Sequence, residues 1–340
     1  MTKRFEIVSP VTDHGGALAR AEARFGSPAE GWVDLSTGIN PWPYPLPPVP
    51  VEAWARLPDT ADLERLRAAA AEYLRVPEPS RLVAAPGSQA LIQTLPGLLP
   101  PARVAIVGFT YAEHARCWRL YGHAVRTVDD LETAAQGADV VVVVNPNNPD
   151  GRRTEPPRLL DLAAELASRG GHMVVDEAFA DVVTEVGVAA HAGQPGLVVL
   201  RSFGKFFGLA GVRLGIALGP ADLMRRLSDR LGPWAVSGPA LTIAAAAYAD
   251  QGWIIKTRRH LAEAAQALDT MLEGEGMRVV GGTSLFRLVE HAGSEAVFES
   301  CARRGVLLRA FAARPGWLRV GLPADERSMA RLRNALRTRG

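Results

Sequence analysis

The chain has 340 residues, 48% of them apolar and 22% charged, with a formal net charge of +2. That is ordinary globular composition, with length for a large domain and a smaller one. A charge so small and dispersed gives no case for nucleic-acid or membrane partners.

In chain order, "MTKRFEIVSP" at 1 to 10 lacks the apolar centre of a secretory signal, which points to a cytoplasmic protein. Residues 41 to 50, "PWPYPLPPVP", can be neither helix nor central strand, because proline removes the donor and fixes φ. They read as a stiff extended connector, either a plain linker or an arm laid on a partner subunit. Next, "PDTADLERLRAAAAEYLRV" sets Leu63, Leu66, Tyr73 and Leu74 on one helical face, with Asp59 or Thr60 available as N-cap. Strand-length runs then alternate with helical stretches such as "PPRLLDLAAELASRG": "RVAIVG" (103 to 108), "DVVVVVN" (139 to 145), "HMVVDEAF" (172 to 179) and "LVVLRSF" (197 to 203). Continuous apolar runs suit strands buried on both faces. The expected fold is therefore α/β: a three-layer α/β/α large domain with a mostly parallel sheet over 55–225, after a segment at 1–54. An Ala-rich helical stretch at 240 to 273 and the runs "MRVVGG", "SLFRLV", "GVLLRAF" and "WLRVGL" predict a smaller α+β domain over 226–340. The apolar "ALTIAAAAYA" (240 to 249) is far short of the roughly 20 residues that cross a bilayer. Cys117 and Cys301 have no metal-ligand spacing and read as free thiols in a reducing compartment.

In open α/β sheets ligands gather at the carboxyl ends of the strands. Polar groups stand at several such ends here: Asn145, Asn147 and Asn148 in "VVVVNPNNPDG", Asp176 and Glu177 in "MVVDEAF", Ser202 and Lys205 in "VVLRSFGK". "LVAAPGSQALIQTL" runs through Gly87, Ser88 and Gln89 into a helix start, whose free N–H groups can hold a phosphate. Singly, these are caps and turns. Together they describe one site with an anion cradle, polar anchors, an amine and, at Arg213, a cation. Neither Gly-x-x-x-x-Gly-Lys-Ser/Thr nor a Gly-x-Gly-x-x-Gly after the first strand is present, which argues against an NTPase or a dehydrogenase.

"SFGKFFGLAGVRLG" resembles the cofactor-lysine segment of the aminotransferase-like (fold type I) pyridoxal-phosphate enzymes, and "NPNNPDG" and "VDEAF" resemble that family's two other ring-binding segments, in the same order. The resemblance covers essentially the whole chain. It implies pyridoxal 5'-phosphate in Schiff-base linkage to Lys205, with its phosphate on Ser202, Arg213 and the donors of Gly87, Ser88 and Gln89. It further implies Asp176 against the pyridine nitrogen, Asn148 on the phenolic oxygen and Tyr111 stacked on the ring. The chemistry wants these types: a carboxylate keeps the pyridine nitrogen protonated so that the ring accepts electrons. The amine, ordinarily near pKa 10.4, must be depressed by an apolar, cation-flanked pocket. Two positions depart from the family pattern. Phe179 stands where many members have a tyrosine that donates to the ring oxygen, and Leu57 in "RLPD" where a tyrosine often reaches the partner's cofactor phosphate.

The core motifs do not choose the reaction; the chain ends do. Arg319 in "GWLRVGL" matches the family's carboxylate-clamping arginine, and Arg309 is a second cation on a neighbouring expected strand. "DHGGALARAEARFG" followed by "WVDLSTGINPWPYP" resembles the entry segments of the threonine-phosphate decarboxylases of cobalamin biosynthesis, which implies that His14 and Asn40 line the site near the substrate phosphate. The implied reaction takes O-phospho-L-threonine to (R)-1-amino-2-propanol phosphate and CO2, in a homodimer with shared active sites and no metal. Histidinol-phosphate aminotransferases share the core but usually lack the His-Gly-Gly opening, and one of these or a related aminotransferase is the alternative. A non-catalytic partner in cobalamin assembly is the alternative of another class.

Overall fold

Valine-rich runs build the centre of the molecule. The computed structural model describes residues 14–337, so the segment at 1 to 10 lies outside the described residues. Seven strands form one sheet in the order Leu82–Ala85, Gly215–Leu218, Leu197–Ser202, His172–Asp176, Val140–Val144, Arg103–Val107, Ala124–Val128. Gly215–Leu218 runs antiparallel to both its neighbours, and the remaining pairings are parallel. Every residue of Val140–Val144 is buried, as strands covered on both faces require.

Alternation along the strands separates two cores. Val142, Val174, Val198 and Leu200 pack with Leu91, Trp118 and Leu227 of one helical layer. Val141, Val143, Val175 and Val199 pack with Leu66, Leu74, Leu159 and Leu166 of the other. This is the expected three-layer arrangement. The chain runs outward from Arg103–Val107 to Ala124–Val128 and returns to Val140–Val144, so the strand order reverses between Arg103–Val107 and Val140–Val144. A crevice opens at such a reversal, beyond the carboxyl ends of the strands.

The smaller sheet is antiparallel, in the order Arg309–Ala310, Trp317–Gly321, Phe286–Glu290, Arg278–Thr283. Its core is continuous with the larger one through Leu285, Phe286 and Leu318. The helices Ala221–Leu231 and Gly238–Ala249 still pack on the large sheet and on Thr60–Leu74, so the chain leaves the large layers later than residue 225. The Ala-rich stretch is two helices, Gly238–Ala249 and Gln251–Gly274, because Asp250 caps the second by accepting from the Trp253 N–H at 2.9 Å. Asp59 is the N-cap of Thr60–Leu74, accepting from Ala61 N–H at 2.9 Å.

The proline-rich connector adopts no regular element and lies on its own chain: Tyr44 is buried against Phe207 and Trp253. The segment before it joins the small domain, since Val33–Asp34 pairs in parallel with Val306–Leu307. Both cysteines are buried, and neither forms a disulfide. Among the described residues, no helix is long and apolar enough to cross a membrane, and no cluster of three or more His, Cys, Asp or Glu could hold a metal ion.

Candidate active site

A cavity of about 460 Å³ lies at the reversal point, lined by Lys205, Asp176, Asn148, Ser202, Arg213, Ser88, Gln89, Tyr111, His14, Arg309 and Arg319 among others. Lys205 sits on the single turn Phe203–Phe206 that follows strand Leu197–Ser202. Burial lowers its pKa to about 8, with Arg319 and Arg213 adding to the shift and Asp176 opposing it. The Phe179 ring lies 5.9 Å from its Nζ and packs edge-on against Phe286.

Asp176 ends strand His172–Asp176 and is 3% exposed. One carboxylate oxygen accepts from the Ala178 N–H at 3.0 Å, and the other faces His114 Nε2 at 2.8 Å. Each oxygen keeps a second lone pair, so the group can still accept from a ring N–H. His114 escaped the sequence reading. Its signal was position: three residues after Tyr111, one turn along the helix Ala112–Leu120.

The three asparagines part company. Asn145 accepts from Thr154 N–H and donates to the Thr154 and Val186 carbonyls, and Asn147 donates to the Phe109 carbonyl and to Asp150. Both hold the loop together. Asn148 alone lines the cavity, where its Oδ1 accepts from Arg319 Nη1 at 2.5 Å. Guanidinium only donates, so this contact fixes the amide and leaves Nδ2 as the donor for a ligand oxygen. Arg319 also donates to the Ser36 carbonyl at 2.7 Å, while its buried Nε has no partner among the described residues. Burial lowers the Arg319 pKa to about 10, helped by Arg309 and opposed by Asp34.

At the other end, Gly87 takes φ +87°, and a Cβ there would stand 2.5 Å from Arg213 Nη2, so only glycine lets the guanidinium lie against the turn. Ser88 begins the helix Ser88–Thr94, and Ser202 is 8% exposed. Gln89 turns its side chain to Glu113 and Tyr111: Nε2 donates to Glu113 at 3.0 Å, and Oε1 accepts from Tyr111 OH at 2.9 Å. Burial, then Glu113 and Asp176, raise the Tyr111 pKa and keep it a neutral phenol.

The expected substrate residues divide. His14 reaches the cavity with Nε2 3.6 Å from Glu113 and its ring 5.8 Å from that of Tyr111. Gly15 makes this reach possible, since a Cβ there would lie 2.3 Å from the Ser36 carbonyl oxygen. Arg309 lines the cavity with its guanidinium 5.4 Å from the Phe311 ring. Asn40 is not brought into the cavity. It is buried, donates to the Phe206 carbonyl at 2.8 Å and accepts from Trp42 N–H at 2.9 Å, while its own N–H donates to the Lys205 carbonyl at 2.9 Å. It braces the lysine turn.

These features fit pyridoxal phosphate: a buried, depressed amine, a carboxylate with spare lone pairs, a donor aimed by Arg319, and a cradle that a Cβ at position 87 would fill.

Residues 51–336 match the family profile of "Aminotransferase class I and II". The chain is 46% identical over 326 residues to a threonine-phosphate decarboxylase of Pseudomonas aeruginosa, covering 95% of this chain and 97% of that one. Among solved structures, it superposes on a histidinol-phosphate aminotransferase of Sinorhizobium meliloti in complex with pyridoxal-5'-phosphate with a TM-score of 0.80, at 19% identity and over 100% and 98% of the two chains. It superposes on an L-threonine-O-3-phosphate decarboxylase of Porphyromonas gingivalis with a TM-score of 0.75, at 21% identity and over 89% and 97%. The chain belongs to the class I and II aminotransferase family of pyridoxal-phosphate enzymes.

Proposed function

We propose that the protein decarboxylates O-phospho-L-threonine to (R)-1-amino-2-propanol phosphate, the linker unit of cobalamin. The observation that carries this reading is the near full-length 46% identity to a threonine-phosphate decarboxylase; a histidinol-phosphate aminotransferase of Bradyrhizobium diazoefficiens stands at 29%.

Pyridoxal phosphate, when bound, supplies the sink for the electron pair left at Cα. Ser202, Arg213 and the first N–H groups of helix Ser88–Thr94 would hold its phosphate, Tyr111 its ring face, and Asn148 Nδ2 its phenolic oxygen. The chain's own residues do the rest. Asp176, held by His114 and the Ala178 N–H, keeps a proton on the ring nitrogen. Lys205, with a pKa of about 8, is neutral in a large fraction of molecules near that pH, so Nζ would be available to hold the cofactor and, once protonated, to deliver a proton to Cα. Arg319, which lines the cavity, would hold the substrate carboxylate and so govern which bond to Cα is broken. His14 and Arg309, at the mouth, suit the substrate phosphate.

Phosphothreonine with no oxo acid present should release CO2 stoichiometrically with the amino-alcohol phosphate. Amine transfer that requires 2-oxoglutarate and releases no CO2 would replace this reading with the aminotransferase one. The protein is also proposed to act as a homodimer. On the single chain Val51, Trp54 and Leu57 expose apolar surface in and just after the helix Val51–Ala55, and sedimentation at twice the chain mass is the expected result.

A further inference from the structure

Behind the cavity, on the other face of the large sheet, lies a buried set of charges that the chemistry above does not use. Asp176 and Ser202, which line the cavity, each adjoin a charged residue, Glu177 and Arg201. Alternation turns these neighbours away: Val174, Val198 and Leu200 share the cavity-side core, whereas Val175 and Val199 share the core under helix Thr60–Leu74. There Arg201 Nη1 donates to Glu177 Oε2 at 2.8 Å, and Nη2 donates to Asp181. Glu177 Oε1 accepts from Val188 N–H at 2.5 Å, so both of its oxygens act as acceptors; burial raises its pKa, and Arg201 and this N–H oppose that shift and favour the ionised carboxylate. Tyr73 OH donates to Asp181 at 2.7 Å. Arg258, on the long helix Gln251–Gly274, donates to Tyr73 OH at 2.9 Å and to the Asp181 carbonyl at 2.7 Å, with its guanidinium 5.6 Å from the ring of Phe206, next to Lys205.

Two carboxylates thus face two guanidiniums, with no net charge. Glu177, Asp181 and Arg201 are each at most 5% exposed. A buried ion set of this kind adds little stability over apolar residues of the same shape, but it fixes geometry because the arginine fork is planar and directional. We infer that Glu177 and Arg201 are positioning residues for the reactive centre: their ion pair, completed by Asp181 and Arg258, clamps the two strand ends that present Asp176 and Ser202 and carry the Lys205 turn. The inference rests on Lys205 as the reactive amine and extends that reading to residues that touch neither substrate nor cofactor.

Lys205 itself faces Asp176, Arg213 and Arg319, with Arg309 beside Arg319 and the Phe179 ring nearby. The intact quartet adds no net charge to this field. Losing Glu177's charge leaves a guanidinium in excess, which disfavours protonated Lys205, and losing Arg201's leaves a carboxylate in excess, which favours it. One unit charge roughly 10 Å away, at an effective dielectric of about 20, moves a pKa by about one unit.

The chain has three lysines, Lys3, Lys205 and the exposed Lys256, so the reactive amine can be titrated without cofactor. Competitive acetylation of cofactor-free protein across pH, read by mass spectrometry on the Lys205 peptide with Lys256 as reference, should give a parent midpoint of about 8. Glu177→Gln should lower that midpoint and Arg201→Met raise it, each by about one unit, and the double variant should return close to the parent. In the loaded enzyme the double variant should keep the parent's Tm while kcat falls about tenfold with KM little changed. Arg201→Lys, which keeps the charge but loses the fork, should leave the midpoint in place and still lower kcat. If Arg201→Met does not fold, Glu177→Gln and Arg201→Lys decide the matter. Shifts of the same sign in both single variants, no shift, or kcat recovering with Tm in the double variant would overturn the inference alone. A parent midpoint near 10.5 would remove the reading of Lys205, and the inference with it.

Discussion

The deep end and the mouth of the cavity are built on different principles. The deep end stands on the rigid sheet: Asp176 and Ser202 end two adjacent strands that are buried save for His172, Lys205 follows on the next turn, and Asp176 is held within the same large layers by His114 and the Ala178 N–H. The mouth is assembled from distant pieces, with His14 from the first described segment, Ser36 from beside strand Val33–Asp34, and Arg309 and Arg319 from the small sheet. The deep end can hold one cofactor in one geometry, whereas the mouth can be altered without disturbing the sheet. That difference explains how a single core supports several fates for the bond at Cα, and it predicts that substitutions at the deep end act on kcat and those at the mouth on KM.

The strongest way to break this contrast is at Lys205. Lys205→Ala should lower CO2 release on the order of 10⁴-fold or more, and residual turnover within tenfold of the parent would end the assignment. Asp176→Asn should cost about 10²- to 10⁴-fold in kcat with KM nearly constant, measured by steady-state CO2 release; a change confined to KM would place Asp176 on the wrong side of the comparison.

The depressed amine also has a stability consequence whose sign follows from linkage. Lys205 titrates at about 8 when folded and near 10.5 when unfolded, so between those values the unfolded chain binds more protons and stability rises with pH. Below about pH 8 the full cost of the buried charge is present. Lys205→Met should therefore stabilise cofactor-free protein at pH 7 by about 3 kcal/mol, a gain that shrinks as pH climbs toward 10.5. Urea denaturation at several pH values measures it, and a gain independent of pH would show that packing, not charge, is responsible.

Smaller effects belong to the mouth. His14→Asn should raise KM for phosphothreonine about tenfold with kcat within twofold, since the site would lose a contact of about 1.4 kcal/mol to an anion. The smallest concerns Phe179. A tyrosine hydroxyl there would add a donor near the ring oxygen, so Phe179→Tyr should lower the pH midpoint of the loaded enzyme's visible absorbance by less than about one unit. A midpoint that stays or rises would show that this position does not reach the ring.

Several parts of this were legible along the chain because they are local. A polyvaline strand followed by Asn-Pro-Asn-Asn, or a strand running into Asp-Glu, marks a polar strand end wherever the sheet lies, and Asp59 announces its helix by capping alone. Other parts were not. Nothing in "NPNNPDG" separates Asn148 from Asn145 and Asn147; the separation is made by Arg319, 171 positions away, which donates to the amide oxygen of Asn148, while the amide nitrogens of Asn145 and Asn147 donate to the Val186 carbonyl and to Asp150. Asn40 reads as a ligand group until the Phe206 carbonyl is found beside it. His114 and Glu113 look like ordinary helix residues until burial leaves them facing Asp176 and Gln89.

From its residues alone the chain determined the alternation of strands and helices, the polar groups at strand ends and the presence of one amine within an apolar run, because periodicity and chemical type are short-range properties. Which oxygen meets which donor, which arginine depresses the amine and which charges balance behind the sheet were decided only when packing excluded water. Those interactions join residues far apart in sequence, and burial is what makes them strong.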